Sequence, residues 1–281
     1  MASTMKNVLA TNFPNERDKN IKFFTQGHRY EIQTDLKKRY TSVTTFVHQQ
    51  FPKFDADAVI AKIFSSKSWG PDHKYWGQTA EEIKAGWTNS GAAAAGSGTN
   101  LHEQIEIFMN DPRFTFVYTH NELLQEYEIS QQFNSDPVSP EWEFFIQFVR
   151  DHPHLKPYRT EWMIYHEDAK IAGSIDMVYE NPDGTLAIYD WKRCKEITKV
   201  NGWNETATNP LIGHLPATNF WQYSLQLNTY RRILEEKYGK KVTKLCLVRL
   251  HPDASTYELL EVPLLDKEMD DLFSEKINKM K

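Results

Sequence analysis

Two short stretches decide the fold, Gly173-Ser174-Ile175-Asp176-Met177 and Ile188-Tyr189-Asp190-Trp191-Lys192. Both lie in segments rich in Ile, Val, Tyr and Trp that alternate apolar and polar residues, which is typical of β-strands. Between them, Asn181-Pro182-Asp183-Gly184 has the composition of a tight turn. Together with a similar segment at 159–166, they predict a three-stranded antiparallel meander.

Three charged side chains fall within these strands. Because successive strand side chains point to opposite faces, Asp190 and Lys192 share a face, and Asp176 can lie beside them on the neighbouring strand. Charges on a half-buried sheet are unfavourable unless they pair or bind a cation. Two converging carboxylates suit Mg²⁺, and a nearby lysine can orient a water molecule for attack on a phosphodiester. The alternative is an Asp–Lys–Asp salt-bridge cluster.

The rest of the chain predicts a mixed α/β (α+β) fold with a mostly helical N-terminal half. Capping and periodicity signals predict several helices before the meander, and a helix, two strands and a final helix after it. The small residues of Gly91–Gly98 indicate either close helix packing or a break between two helices. The predicted helices are 54–66, one beginning at Thr79, 100–110, 121–133, 141–150, 220–238 and 266–281; the predicted strands outside the meander are 21–24, 28–32, 242–250 and 257–264.

Composition excludes several classes of protein. The 281 residues carry a net charge of −5, which argues against a polybasic protein that coats nucleic acid but leaves room for a local basic groove. No segment approaches the roughly 18 apolar residues of a membrane span. The first 24 residues lack the apolar core of a signal peptide, and Glu16 and Asp18 make a poor transit peptide. We therefore expect no membrane association and an intracellular location: cytoplasmic, nuclear or at a viral replication site.

The Asp176, Asp190 and Lys192 pattern resembles that of the PD-(D/E)XK nuclease superfamily, in its RecB-like exonuclease branch. Three further segments agree with that branch. The segment 98–106 (GTNLHEQIE) resembles its G-T-x-x-H-E-x-x-E helix, and 226–230 (QLNTY) matches its Q-x-x-x-Y helix. The segment 40–45 (YTSVTT) resembles the S-V-T segment of mitochondrial genome maintenance exonucleases and related viral and phage proteins. The resemblance covers roughly residues 40 to 260.

The resemblance implies a restriction-endonuclease-like core with a mixed central sheet flanked by helices. It also implies that His102, Asp176 and Asp190 hold one or two Mg²⁺ or Mn²⁺ ions, that the backbone carbonyl of Trp191 adds a ligand, and that Lys192 is catalytic. An imidazole ligand favours Mn²⁺ as well as Mg²⁺. Cys194 and Cys246 are the only two cysteines, so no iron–sulfur cluster is expected.

Two further acids are candidates for the same site. Glu106 lies one helical turn after His102, where it either holds that imidazole or makes an ordinary helix-surface contact. Glu161 lies on the strand before Asp176, and related nucleases often use an acid there to bind a second metal. An exposed strand glutamate with no such role is the alternative.

Other residues are candidates for contacts with DNA. Gln222, Gln226 and Tyr230 repeat every four residues and share a helix face, from which the resemblance has Gln226 and Tyr230 contact DNA or position Lys192. Trp69, Trp76 and Trp203 are candidates for stacking on unpaired bases, with a core role as the alternative. The remaining DNA-binding candidates are Arg193, Lys195, Arg231, Ser42 and Thr44.

These inferences predict a metal-dependent DNA exonuclease that prefers single-stranded ends, acts in replication, repair or recombination, and is monomeric. Its predicted organisation is an N-terminal extension (1–40), a helical part that carries His102 and frames a DNA channel (41–155), a nuclease core (156–265) and a C-terminal helix (266–281). A structure-specific flap endonuclease is the alternative within the same class. The alternative of another class is an inactive subunit that binds single-stranded DNA.

Overall fold

The structure, a computed structural model, describes residues 7–114, 116–131, 138–202 and 204–280. Within these ranges the chain forms a mixed central sheet with helices on both faces, which confirms the predicted mixed α/β class. The helices are α1 (Val8–Asn12), α2 (Val43–His48), α3 (Ala56–Phe64), α4 (Ala80–Met109), α5 (His120–Gln131), α6 (Pro140–Asp151), α7 (Asn219–Lys237) and α8 (Asp266–Asn278). The strands are β1 (Ile21–Phe24), β2 (Arg29–Ile32), β3 (Thr41–Ser42), β4 (Lys156–His166), β5 (Ile171–Glu180), β6 (Leu186–Lys192), β7 (Val242–Arg249) and β8 (Glu258–Glu261).

The predicted meander is present as β4, β5 and β6, paired antiparallel. The sheet continues with β7, parallel to β6, and then β8, antiparallel to β7. On one edge β5 pairs with β4 along its whole length. On its other edge it pairs with β3 at residues 171–172 and with β6 at residues 177–180. The residues between, 173–176, lie in the gap that separates β3 from β6.

Two apolar cores cover the two faces of the sheet. On one face α2, α7 and α8 pack on side chains such as Ile175, Ile188 and Leu247. On the other face the C-terminal part of α4 packs with α5 and α6 on Met177, Trp191 and other side chains. Because α4 and α7 approach opposite faces beside the gap, both can deliver polar side chains to it.

The predicted hairpin is present as β1 and β2, and segment 7–20 packs on β4. Asp18 anchors that segment, because its carboxylate accepts hydrogen bonds from Arg159 at 2.8 Å and from the indole of Trp162 at 2.9 Å. β3, α1 and α2 were not predicted, and β8 is shorter than the predicted strand 257–264. Of the predicted helix 121–133, residues 132 and 133 lie outside the described residues.

The glycine-rich segment Gly91–Gly98 differs from both expectations. It forms neither a break nor a tight helix contact, because α4 runs through it without interruption for 30 residues. A Cβ atom built on Gly91, Gly96 or Gly98 would meet no atom of the described residues within 4 Å. The helix is sustained there by four consecutive alanines, Ala92 to Ala95, and at its start by the capping box of Thr79 and Glu82.

No helix among the described residues is long and apolar enough to cross a membrane.

Candidate metal centre

Three acids form a row across the strands of the meander. The pairs Thr160–Met177 and Trp162–Ile175 set the register of β4 and β5, which places Glu161 opposite Asp176. The β5–β6 ladder ends at the Met177–Tyr189 pair, so the next residues, Asp176 and Asp190, lie where the two strands separate. There the backbone N–H of Trp191 donates to the Asp176 carboxylate at 3.1 Å instead of to a strand carbonyl. The side chain of Asp176 thus occupies the gap in the sheet.

Glu161 reaches this row through an unusual backbone conformation. Its φ of 41° lies in the left-handed region, which is unfavourable for a residue with a Cβ atom and recurs at functional sites. The alternation of side chains along β5 is interrupted at the same level. Ile175 and Met177 are two residues apart and would share a face in a regular strand, but Ile175 packs against α7 on one face and Met177 packs against α4 on the other. Ser174 fixes the Glu161 carboxylate by a 3.0 Å hydrogen bond from its hydroxyl.

Helix α4 brings His102 to these carboxylates. Leu101, Ile105 and Phe108 bury one side of its last turns and fix the direction of the imidazole. Nδ1 of His102 lies 3.6 Å from Asp176 and 3.7 Å from Glu161, and Nε2 lies 3.0 Å from the Trp191 carbonyl oxygen. One ligand atom each of His102, Glu161 and Asp176 falls within 4.8 Å of the others.

Lys192 lies beside this group, held on three sides. Its ammonium contacts the Asp190 carboxylate at 2.6 Å, donates to the amide oxygen of Gln226 at 3.2 Å, and lies 4.4 Å from the ring centre of Tyr223. Gln226 in turn donates to the hydroxyl of Tyr230 at 3.3 Å. The helix α7 therefore positions the lysine by a hydrogen bond and a cation–π contact.

Gly173 permits this arrangement. A Cβ atom at Gly173 would lie 2.8 Å from both a ring carbon of Tyr230 and a methyl group of Val43. The glycine in the Gly-x-Ile-Asp context thus lets α7 and α2 approach β5 closely.

The carboxylates and the imidazole perturb one another. Burial raises the pKa of Asp190 to about 6. The charge of Lys192 opposes this rise, and the charge of Asp176 adds to it. Burial and Glu161 also raise the pKa of Asp176, opposed by His102. For His102, burial lowers the pKa, but Asp176, Glu161 and Asp190 outweigh it and raise the pKa to about 9. Concentrated negative charge is therefore the dominant electrostatic feature of the site.

These donors suit a hard divalent cation. The set consists of carboxylates, one imidazole and a backbone carbonyl, which is the mixture that Mg²⁺ and Mn²⁺ accept. Oδ2 of Asp190 is buried, and the Lys192 ammonium lies 2.6 Å from it. A cation would offset the net negative charge of the group.

The metal-ligand candidates from the sequence do not all lie at the same point of the structure. His102, Asp176 and Glu161 form the compact group, whereas Asp190 faces Lys192 one strand away. Glu106 is half-buried one turn along α4, and burial, followed by the charges of Glu161 and Glu103, raises its pKa to about 7. It lies near enough to Glu161 to be affected by its charge, but outside the compact group.

The DNA-contact candidates occupy varied environments. Gln226 lies in the site and Tyr230 is buried behind it, so the geometry favours their alternative role of positioning Lys192. Ser42 caps α2, and Thr44 is exposed on that helix. Gln222 is half-buried on α7. Three basic candidates form ion pairs within the chain: Arg193 with Glu141, Lys195 with Asp253, and Arg231 with Glu235 and Asp266. Their contact with DNA stays a prediction, and Trp203 lies outside the described residues.

Two residues that position the site, Tyr223 and Ser174, were not predicted from the sequence. Tyr223 precedes Gln226 by three residues on α7, a spacing that places both on one helix face and could have indicated it. Ser174 precedes Asp176 by two residues in β5, so period two could have placed it beside the acid. Neither residue belongs to a motif that the resemblance supplies.

No protein-family model matches this chain, and no curated protein sequence does. Among solved structures, one match is described as "Crystal structure of SSO0001", with 16% sequence identity and a TM-score of 0.22. The match covers 57% of this chain and 58% of that one, so the chain spans less than two thirds of its length. At this level of similarity the match carries no argument about fold or function.

Proposed function

We propose that this chain is a divalent-metal-dependent deoxyribonuclease with a PD-(D/E)XK core, acting as an exonuclease on single-stranded DNA ends. One observation carries the proposal: the ligand atoms of His102, Glu161 and Asp176 converge beside a lysine that three neighbours hold in place. A salt-bridge cluster explains the Asp190–Lys192 pair. It does not explain why a histidine and two more acids gather next to it, one of them in a strained backbone conformation.

The residues divide the chemistry of phosphodiester hydrolysis between them. His102, Glu161, Asp176, Asp190 and the Trp191 carbonyl would hold the cation, which would polarise the scissile phosphate and lower the pKa of a bound water. Lys192 orients the attacking water and stabilises the negative charge that develops on the phosphate. Asp190, Gln226 and Tyr223 keep the ammonium in that position.

The first experiment compares end-labelled linear and circular single-stranded DNA, each with Mg²⁺, Mn²⁺ or EDTA. We expect linear DNA to shorten from an end with either metal, circles to stay intact, and EDTA to stop the reaction. Cutting of circles would favour the endonuclease alternative. Binding without cleavage under every metal condition would favour the inactive single-strand-binding subunit and contradict the proposal.

The second experiment tests the lysine. Lys192→Ala should lower kcat by about a hundred- to ten-thousand-fold, the usual contribution of a positioned proton-transfer group, while DNA affinity changes little. Lys241→Ala is the matched control, because Lys241 is exposed and its carbonyl accepts from Leu186 at the opposite end of β6 from Lys192. Equal activity of the two variants would refute the role of Lys192.

A further inference from the structure

A cluster of aromatic side chains lies at the far end of α4 from the metal centre. Ring contacts of 4.6 to 6.0 Å connect its members in a continuous series, and the indole of Trp87 donates to the hydroxyl of Tyr75 at 2.9 Å. We call it the aromatic cluster; it comprises Phe54, Phe64, Trp69, His73, Tyr75, Trp76 and Trp87.

This cluster is exposed yet ordered. Phe54 is 73% exposed and Trp76 is 47% exposed, whereas large aromatic side chains in a core are almost fully covered. The loop 65–79, which carries most of the rings, has no strand or α-helix but is held by successive tight turns, with hydrogen bonds such as His73 N to Gly70 O and Trp76 N to His73 O. A loop of this length in a compact protein is usually functional.

Helix α4 connects the cluster directly to the metal centre. Fifteen residues separate Trp87 from His102, which corresponds to about 22 Å along the axis and about four turns. The two side chains therefore leave the helix within about 60° of each other. Between them the same face carries only small residues, Gly91, Ala95 and Gly98, spaced three or four apart.

Packing within the part of the chain that the structure describes does not require these small residues. The helix is exposed from residue 88 to residue 97, and a Cβ atom on Gly91 or Gly98 would meet no atom within 4 Å in the described ranges. Each glycine in an exposed helix is unfavourable by about 1 kcal/mol relative to alanine. The glycines leave the face smooth, so that another chain can lie close to the helix backbone.

We propose that the aromatic cluster is a distal base-stacking subsite, which holds unpaired nucleotides of a single strand whose scissile phosphate lies at the metal centre. The strand runs along the smooth face of α4 between the two sites. The inference rests on the proposed nuclease function and adds to it a second point of contact at a defined distance.

The chemistry of the cluster favours nucleic acid over an apolar protein segment. Base stacking on aromatic rings tolerates any sequence, and it acts together with positive charges that follow the backbone. The loop that carries the rings also carries Lys67 and Lys74, both exposed, and the Lys74 ammonium lies 5.0 Å from the ring centre of Tyr75. The position in line with the metal centre gives the strand a continuous path.

The distance makes the proposal measurable. At the stacked spacing of about 3.4 Å per nucleotide, a strand needs about six or seven nucleotides to span the separation, so oligo-dT4 (about 14 Å) does not reach and oligo-dT12 (about 41 Å) does. The readout is the ratio of the dissociation constants of dT4 and dT12, measured by fluorescence anisotropy with Ca²⁺ in place of Mg²⁺ to prevent cleavage.

Trp76→Ala should weaken dT12 binding by about 5- to 150-fold, as removal of a stacking ring does, and leave dT4 binding unchanged. The ratio therefore falls. Trp76→Phe should restore most of it, and Phe116→Ala, which removes an exposed ring outside the cluster, should not change it. If the Trp76→Ala protein keeps the wild-type ratio, the proposal is overturned. That outcome includes both a variant that binds the two oligonucleotides normally and one that loses affinity equally for both.

A second pair of variants tests the path. Gly91→Gln adds a side chain about 20° from the direction of His102, and Gly86→Gln adds the same side chain about 160° away. Both positions are open, so both variants should fold and gain helix stability. Only Gly91→Gln should lower the dT4/dT12 ratio, and equal ratios for the two variants contradict the path.

These experiments distinguish a failure of the distal subsite from a failure of the proposed nuclease function. If DNA is cleaved at the metal centre but the ratio does not respond to these variants, the distal subsite is wrong and the nuclease function stands. If neither oligonucleotide binds and no DNA is cleaved, the proposed function and the subsite are both wrong.

Discussion

The two halves of α4 belong to one helix but have different environments. From Leu101 to Met109 every third or fourth side chain is buried against α5, α6 and the sheet, and this packing aims His102 at the carboxylates. From residue 88 to residue 97 the helix is exposed on all sides and rich in glycine and alanine. The comparison shows that packing fixes the imidazole, whereas the exposed stretch depends on intrinsic propensity and on the packed turns at either end, such as the one that carries the buried Ile83.

The largest expected effect comes from removing the packing beneath His102. Ile105 is 1% exposed, and Ile105→Ala should lower the free energy of unfolding by about 2–5 kcal/mol, measured by urea denaturation. Ile107→Ala is the control, because Ile107 on the same helix is 53% exposed and its loss should change stability by less than about 0.5 kcal/mol. Similar losses for the two variants would mean that the packed half does not anchor the helix.

A glycine at the site should behave as a packing residue. Gly173→Ala forces Tyr230 and Val43 apart, because its Cβ would lie 2.8 Å from each. We expect a loss of about 1–3 kcal/mol in unfolding free energy, together with reduced cleavage as Gln226 and Lys192 shift. Unchanged stability in thermal unfolding would show that α7 and β5 do not approach as closely as described.

The packed side also contains a buried histidine that makes stability depend on pH. Burial, and then the charge of His152, lower the pKa of His120 to about 3, while its Nε2 lies 2.8 Å from the hydroxyl of Tyr179. In the unfolded chain a histidine has a pKa of about 6.5, so between these two values the unfolded state binds more protons. The stability that neutral His120 contributes is therefore fully present above about pH 6.5, and the free energy of unfolding falls by up to about 1.4 kcal/mol per pH unit below it.

The check is urea denaturation at pH 7 and pH 5 for the wild-type protein, His120→Asn and His48→Gln. His120→Asn should reduce the difference between the two pH values. The exposed His48 serves as the control, and its replacement should leave the difference as it is. An equal difference in all three proteins would exclude His120 as its source.

The smallest effect should have the opposite sign and lie in the exposed half. Gly91→Ala meets no neighbour among the residues that the structure describes, and it improves helix propensity, so it should raise the free energy of unfolding by about 0.5–1 kcal/mol. The opposite signs of Gly173→Ala and Gly91→Ala would sharpen the contrast between the packed site and the exposed helix. A destabilised Gly91→Ala protein, measured by the same thermal unfolding, would reveal packing there.

Sequence patterns predicted the strands and helices whose formation depends on neighbouring residues along the chain. The meander followed from period-two alternation and the turn at 181–184, and the Asp190–Lys192 contact followed from that same period. The helix α6 follows its N-cap, Ser139, and Pro140 at the first position.

Long-range packing decided what the patterns could not predict. Glu161 reaches Asp176 through a left-handed backbone conformation that only the surrounding sheet can impose. The continuity of α4 was ambiguous because its glycines disfavour a helix while its alanines favour one, and anchoring at both ends resolves the balance. The cation–π contact of Tyr223 requires α7 to lie across the end of β6, which no local signal in the sequence encodes.

The most direct test of the central claim is a calorimetric titration of the protein with Mn²⁺. We predict saturable binding to the wild-type protein, a loss of affinity of about tenfold or more in Asp176→Asn and His102→Gln, and wild-type binding in Glu103→Gln, which alters an exposed acid on the same helix. Absence of Mn²⁺ binding in the wild-type protein, or equal affinity in all four proteins, would contradict a metal centre at His102, Glu161 and Asp176.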